Sequence, residues 1–398
     1  MKHPLIAIEG VSLRWQAEEG TQVFRWRSPA GVSVPRRCVI ADDRMSAEVA
    51  YPLVCEGTAL LWQGDFHNAR QLLQALARRV ERSSKPARAN SSPSPSLMQP
   101  AQFHRYRLSQ AQRARTLGLL LLPLTADHQI PLRRAPDVQQ ACLEALGVAS
   151  SAESGSYVMS LRELQGIVGA HEWRKKGVAI PQLGDGARIY PHYGVFSPVR
   201  GEYLDLVAQA PLPAVLKECP QVFDVGTGTG VLAALLAQRV AGAQVVATDQ
   251  DARALACAVE NIERLSLTGR VALMATDLFP PGCAGLVVCN PPWLPGRPAT
   301  PLEHAIYDPE SRMLLGFLRG LPQHLLPGGE GWLILSDLAE HLGLRSRAVL
   351  LAAIAAAGLR VVDRLDIRPH HPRVRDQADP LHDARAAEVT SLWRLAVA

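Results

Sequence analysis

Residues 221–230 read QVFDVGTGTG: a short apolar run that breaks at Gly226, Gly228 and Gly230 and passes straight into VLAALLAQRV, whose apolar residues suit a helix. Glycine accepts positive φ and lets the backbone approach a ligand closely, while free amides at a helix start favour polar ligand groups. Strand, glycine turn and helix in that order predict the opening unit of a doubly wound α/β sheet, with a ligand at the C-terminal end of the strand. Nucleotide dehydrogenases carry similar turns, so the glycines alone do not choose the ligand.

Downstream, short apolar runs alternate with helical stretches. Strands are expected at Val222–Val225, Gln244–Thr248, Val271–Ala275, Leu286–Cys289, Trp332–Leu335 and Leu359–Leu365, with a last one at Glu388–Val397. Helices are expected near Val231–Val240, Ala252–Leu265, Ser311–His324 and Arg345–Ala357. The second strand ends in VVATD, placing Asp249 about 20 residues past the glycines, where a carboxylate can accept hydrogen bonds from both hydroxyls of a ribose. An adenosine-containing ligand is the expectation.

The fourth strand delivers Asn290-Pro291-Pro292-Trp293 to its C-terminal end, where ligands sit in open α/β sheets. Two prolines fix the loop and remove backbone donors, leaving carbonyls as acceptors. Asn290 can accept through its side-chain oxygen, and an aromatic at 293 can stack on a planar group. Such a loop suits a substrate NH2 group: hydrogen bonds from its N–H atoms to Asn290 and the Pro291 carbonyl orient the nitrogen lone pair, and catalysis is alignment for in-line displacement. NPP is also a good turn sequence, and a tryptophan can equally be a core anchor.

DVGTGTG, VVATD and NPPW together resemble the NPPY-type amino-methyltransferases of the class I S-adenosylmethionine-dependent group, a methyltransferase small domain similar to protein-glutamine release-factor methyltransferases and ribosomal RNA guanine-N2 methyltransferases. The resemblance covers roughly 190–398. It implies a Rossmann-like seven-stranded domain and S-adenosylmethionine as cofactor, and it argues against NAD. It implies that Asp224, Gly226, Thr227, Gly228, Gly230, Asp249 and Asn290 bind the cofactor, with Asp224 supporting its methionine end. Asp277 of ATDLFP is implied near the adenine, with Leu278 or Phe279 against its face; the plainer reading is that Asp277 caps a turn before Pro280. Asn290, Pro291, Pro292 and Trp293 correspond to the catalytic amino-group motif, with Trp where Tyr or Phe is commoner.

The segment Tyr190–Gln209, YPHYGVFSPVRGEYLDLVAQ, is similar to the lead-in to the first strand in the same enzymes, which makes Phe196 a cofactor-binding candidate and Arg200 and Glu202 lid candidates or an ion pair. Further upstream, 81–100 is rich in Ser, Pro and Ala and reads as a flexible linker. It separates an α+β module at 1–80 from a mainly helical recognition segment at 101–185, ahead of the methyltransferase domain at 186–398. The stretch 117–122 is expected as part of an apolar helix, and Thr58–Val80 is similar to one strand and helix of a degenerate methyltransferase copy, without a glycine loop before it.

The expected function is transfer of a methyl group to a planar amide or exocyclic amino nitrogen of a macromolecule, read as protein glutamine N5. A nucleic-acid base (guanine-N2 or adenine-N6) is the alternative, and a non-catalytic S-adenosylmethionine- or RNA-binding protein is a third reading. The partner is accordingly a protein or nucleic-acid substrate, such as a translation factor or RNA. Net charge is +5, carried mostly by arginine, which permits a polyanionic partner without requiring one. No apolar run approaches the roughly 18 residues that span a bilayer, and Met1–Leu13 lacks the layout of a secretion signal, so no membrane association and a cytoplasmic location are expected. The seven cysteines lack zinc-ligand spacing and His370, His371 and His382 stand in a polar stretch, so no metal site is read.

Overall fold

The computed structural model describes residues 6–17, 20–84, 100–147, 155–298, 301–369 and 379–398. The chain divides into two units, Met1–Ser94 with His104–Glu172, and Pro95–Phe103 with Trp173–Ala398.

In the first unit the strands are β1 (Ala7–Glu9), β2 (Ser12–Ala17), β3 (Gly20–Trp26), β4 (Arg37–Ala41), β5 (Thr58–Trp62), β6 (Leu120–Leu124) and β7 (Tyr157–Ser160). They form one seven-stranded sheet in the order β1-β2-β3-β7-β6-β5-β4. The helices are α1 (Ala47–Cys55), α2 (Phe66–Ser84), α3 (Pro100–Leu117), α4 (Gln139–Leu146) and α5 (Leu161–Lys176), the last running on past Glu172. Strands from 1–80 and from 101–185 therefore share a sheet, and most of the two stretches expected as separate modules falls in this one unit, with 101–103 and 173–185 belonging to the second. The linker expected at 81–100 falls mostly outside the described residues, its first four positions continuing α2.

The run LLLPL, expected as helix, is β6, because a short, continuously buried apolar run has the same pattern in a core strand as in a core helix. Pro123 is tolerated because pairing to β5 extends only over Leu120 and Leu121 and stops before the missing N–H matters. At the C-terminal edge of β4 and β5, Asp43 accepts from the Asp65 amide (2.8 Å) and pairs with Arg133 (2.8 Å), while Asp65 pairs with Arg134 (2.7 Å).

The second unit's main sheet comprises β8 (Gln221–Val225), β9 (Gln244–Asp249), β10 (Val271–Ala275), β11 (Ala284–Cys289), β12 (Leu325–Ser336), β13 (Leu359–Ile367) and β14 (Thr390–Val397). Their order is β10-β9-β8-β11-β12-β14-β13, parallel except that β14 runs antiparallel between β12 and β13. This is a Rossmann-like α/β domain, and the strands expected from 222 onward are all present. Alternation sorts the side chains: Val222, Leu286, Val288, Trp332 and Ile334 enter one core with α6 (Glu202–Gln209) and α7 (Val231–Arg239). Phe223, Val287, Cys289, Leu333 and Leu335 enter the other with α9 (Arg312–His324) and α11 (Arg347–Ala356). Between these stand α8 (Ala252–Arg264) and the short α10 (Leu338–His341), and α12 (His382–Ala387) precedes β14. His382 opens α12, whereas His370 and His371 lie outside the described residues. Among the described residues no helix is long and apolar enough to cross a membrane.

The inserted strand β14 is tied to β12 by more than its ladder. Arg394, the register partner of Trp332, grips the buried Glu330 with two bonds (2.8 and 2.7 Å), and the Trp332 indole donates to the same carboxylate (3.0 Å). Both charged side chains are nearly buried, so truncating one strands the other. Arg394→Ala is expected to destabilise the unit by about 3 to 5 kcal/mol, whereas replacing both partners by apolar residues of similar size costs far less. Urea unfolding of the single and double variants checks this, and equal losses would contradict it.

Candidate active site

β8 lies between β9 and β11, and the chain reverses its direction of travel across the sheet here, since β9 and β10 build outward on one side and β11 begins the other. Such a switch point leaves a crevice at the C-terminal edge. Register fixes what lines it: Val225 stands opposite Thr248 on one side and Cys289 on the other. The loop from Gly226 is therefore flanked by Asp249 and by Asn290.

Asp224 is on the α7 side of β8 and fully buried. Its Oδ2 accepts from the Thr227 hydroxyl (2.7 Å), while Oδ1 accepts no well-formed hydrogen bond among the described residues. Burial pushes its pKa up to about 7, with the Thr227 hydroxyl and the nearby Ala233 amide opposing the rise. A buried carboxylate oxygen without a donor is costly and fits a ligand that brings a cation or an N–H.

The loop geometry explains its glycines. Gly226, at φ 75°, would drive a Cβ into the Met313 methyl, and Gly230, at φ 80°, caps α7 with a Cβ direction only 3.3 Å from that of Ala258 on α8. The Gly226 and Thr227 amides both donate to the Thr248 carbonyl (2.9 and 2.8 Å), and the Gly228 amide donates to Asp249 Oδ2 (3.0 Å). Asp249 Oδ1 takes the Asp251 amide (2.9 Å). Each Asp249 oxygen keeps a second lone pair for a hydroxyl, and burial raises its pKa despite these amides. Donor, acceptor and cation sites thus fit an adenosine-bearing ligand with an amino group at the Asp224 end.

On the other flank, Asn290 Oδ1 accepts from the Trp293 indole N–H (2.8 Å). The Arg200 guanidinium lies over the Trp293 ring, 5.6 Å from its centroid, and Arg345 donates to the Trp293 carbonyl (3.1 Å) and to Ser311 (3.2 Å). Burial lowers the Arg345 pKa, opposed by the charges of Asp308 and Glu340. Asp308 in turn accepts from the Met313 and Leu314 amides (3.0 and 3.1 Å), holding the start of α9. Arg200 is no mere surface pair: its guanidinium donates to the buried Glu388 (3.1 Å) and lies at ion-pair distance from Glu202 (3.5 Å).

Other candidates stand apart from this cluster. Asp277 is half exposed and pairs with Arg312 (2.5 Å). Leu278, at φ 70°, lies against Gly316 of α9, and the Phe279 ring stacks between His324 (4.4 Å) and Phe317 (5.7 Å). The side chains expected against an adenine are thus engaged by α9. Phe196 is half-buried beside Val195, which packs on Ala254 and Cys257 of α8.

Sequence reasoning passed over Asn261. It is fully buried in α8, accepts from the Tyr190 amide (2.7 Å) and donates to the Thr229 carbonyl (3.1 Å), so it ties the lead-in segment to the glycine loop. Its signal was an asparagine on the apolar face of an amphipathic helix, between Ala258 and Ile262. Arg345 and Glu388 had no such signal, because the side chains and carbonyl they bond are 34 or more residues away.

Residues 186–340 match the family model of the methyltransferase small domain. Over 161 residues the chain is 35% identical to the release factor glutamine methyltransferase of Cereibacter sphaeroides, covering 37% of this chain and 56% of that protein. Over 162 residues it is 32% identical to the enzyme of the same name from Geobacter sulfurreducens, covering 36% and 56%. The chain spans about half the length of the curated relatives it matches. A methyltransferase structure from Pyrococcus furiosus is 19% identical over 57% of this chain and 96% of its own, with a TM-score of 0.37, too low a likeness to add to the sheet order described above. The glycine loop, Asp249 and Asn290–Trp293 all fall inside 186–340, the stretch that matches the methyltransferase small domain.

Proposed function

We propose that this chain transfers the methyl group of S-adenosylmethionine to a planar nitrogen of a macromolecular substrate, the side-chain amide of a protein glutamine. The observation that carries the reading is the register that sets Gly226 between Asp249 and Asn290, with an Asp224 oxygen that accepts no well-formed hydrogen bond among the described residues. The similarity of this stretch to release factor glutamine methyltransferases supports glutamine as the acceptor.

Bound S-adenosylmethionine supplies an electrophilic methyl carbon. Asp249 holds the ribose hydroxyls, the glycine loop admits the chain that follows, and Asp224 meets the amino end. Asn290 Oδ1 and the Pro291 carbonyl accept the acceptor's N–H hydrogens and so aim its lone pair, and as the N–C bond forms and the sulfur–methyl bond breaks the nitrogen gives up one N–H proton to solvent. Alignment of this kind is worth several orders of magnitude in rate without an acid or base.

Asn290→Ala is expected to keep cofactor affinity within about twofold and to lower turnover about 100-fold, the usual cost of one preorganised polar contact at a reacting centre. Isothermal titration with single-turnover methyl transfer checks both numbers, and full activity in the variant would overturn the role. Because Asp224 holds its proton up to about pH 7, cofactor affinity is expected to tighten as pH rises toward 7 and then level off. The change is about tenfold per pH unit below that point. Asp224→Asn should remove this component of the profile; an unchanged profile would refute the pairing.

Labelled S-adenosylmethionine added to an extract of cells lacking the gene, followed by separate protease and nuclease digestion, tests the acceptor class. Label released only by protease is expected. Release by nuclease would replace glutamine with a nucleic-acid base.

A further inference from the structure

Trp293 stands where an aromatic ring is expected to stack on the acceptor, and its surroundings give it another task. One side of the ring carries the Arg200 guanidinium, itself fixed by Glu202 and Glu388. Its carbonyl is held by Arg345, and its indole N–H points at Asn290 Oδ1 at 2.8 Å. We propose that Trp293 is a positioning residue that sets the sense of the Asn290 carboxamide. This rests on the reading of Asn290 given under Proposed function.

A carboxamide has two ends of nearly equal shape and opposite hydrogen-bonding character, and only the oxygen end can receive an N–H from the acceptor. The indole N–H is a donor and nothing else, so it pairs with the oxygen and rejects the NH2 end. A 180° flip would set N–H against N–H. The amide oxygen has two lone pairs; the indole occupies one and leaves the second for the acceptor nitrogen's hydrogen. Neither commoner residue at this position imposes that sense. Phenylalanine has no donor, and a tyrosine hydroxyl donates or accepts and so tolerates both orientations. The clamp from Arg200 and Arg345 holds the ring at the angle the bond needs, and the cation on its face closes that side to a stacked acceptor. The result favours acceptors that bring a hydrogen-bond donor, an amide or amino nitrogen, over those that bring only a lone pair.

The bond has a signature independent of turnover. In proton–nitrogen spectra of the full chain, the Trp293 indole resonance, assigned by its loss in Trp293→Phe, should be slow to exchange with solvent. Asn290→Ala should speed that exchange at least tenfold, whereas Asn290→Asp, whose two oxygens both accept, should preserve it. In methyl transfer, Trp293→Phe should lower kcat about tenfold, with cofactor affinity and acceptor KM within about twofold. In the Asn290→Asp background, where the carboxylate has no wrong end, the same change should cost less than about twofold. An indole proton indifferent to Asn290→Ala, or an equal kcat loss in both backgrounds, would overturn the proposal. If the wild-type chain transfers no methyl group to any acceptor, the function proposed above fails, and the exchange measurement still decides whether the indole holds Asn290.

Discussion

The parallel register of β8 with its two neighbours is the constraint on which the rest of the second unit depends. Three strands that end level with one another must release their loops at one edge, so the glycine turn, Asp249 and Asn290 meet without any long-range contact having to be specified for each. What the register cannot supply is chemistry at the floor of the crevice. Asp224, one residue before the strand ends, does so: alternation turns it toward α7, and its buried Oδ1 has no well-formed hydrogen bond among the described residues.

Around this floor the protein spends charged side chains on holding loops. Asp249 uses both oxygens on backbone amides before any ligand is present, Asp308 anchors the start of α9, and Arg345 joins Trp293 to Ser311. A crevice built this way has its donors and acceptors set before binding, which lowers the ordering cost of each contact to a ligand.

The main-sheet strands of the second unit were legible in the sequence, with β12 beginning at Leu325 rather than Trp332, because the central ones are largely buried and separated by amphipathic helices, the pattern in which local periodicity and tertiary burial agree. The glycines, Asp249 and Asn290 were legible for a related reason, since each sits at a fixed offset from a strand end. The first unit was less so. Leu120–Leu124 is as apolar as a core helix, and nothing local announces that it pairs with Tyr157–Ser160 across more than 30 residues. At the site, the resemblance implied Leu278 or Phe279 against an adenine. Gly320 leaves room on α9 for the Phe279 ring, an accommodation visible only once α9 is in place. The bond from Trp293 to Asn290 spans three residues, yet it was read as stacking because sequence gives the residue type and not the direction of its N–H.

The antiparallel insertion of β14 also bears on when the catalytic unit can exist during synthesis. β13 pairs with β14 alone, so residues 359–367 have no place in the sheet until 390–397 have left the ribosome. Glu388, just before that strand, is the buried partner of Arg200, which covers Trp293. The nascent chain can therefore form the glycine loop and its neighbours early, but the arrangement around Trp293 waits for Glu388 and β14. Assembly of the cofactor end and of the acceptor end is thereby separated in time on a single polypeptide.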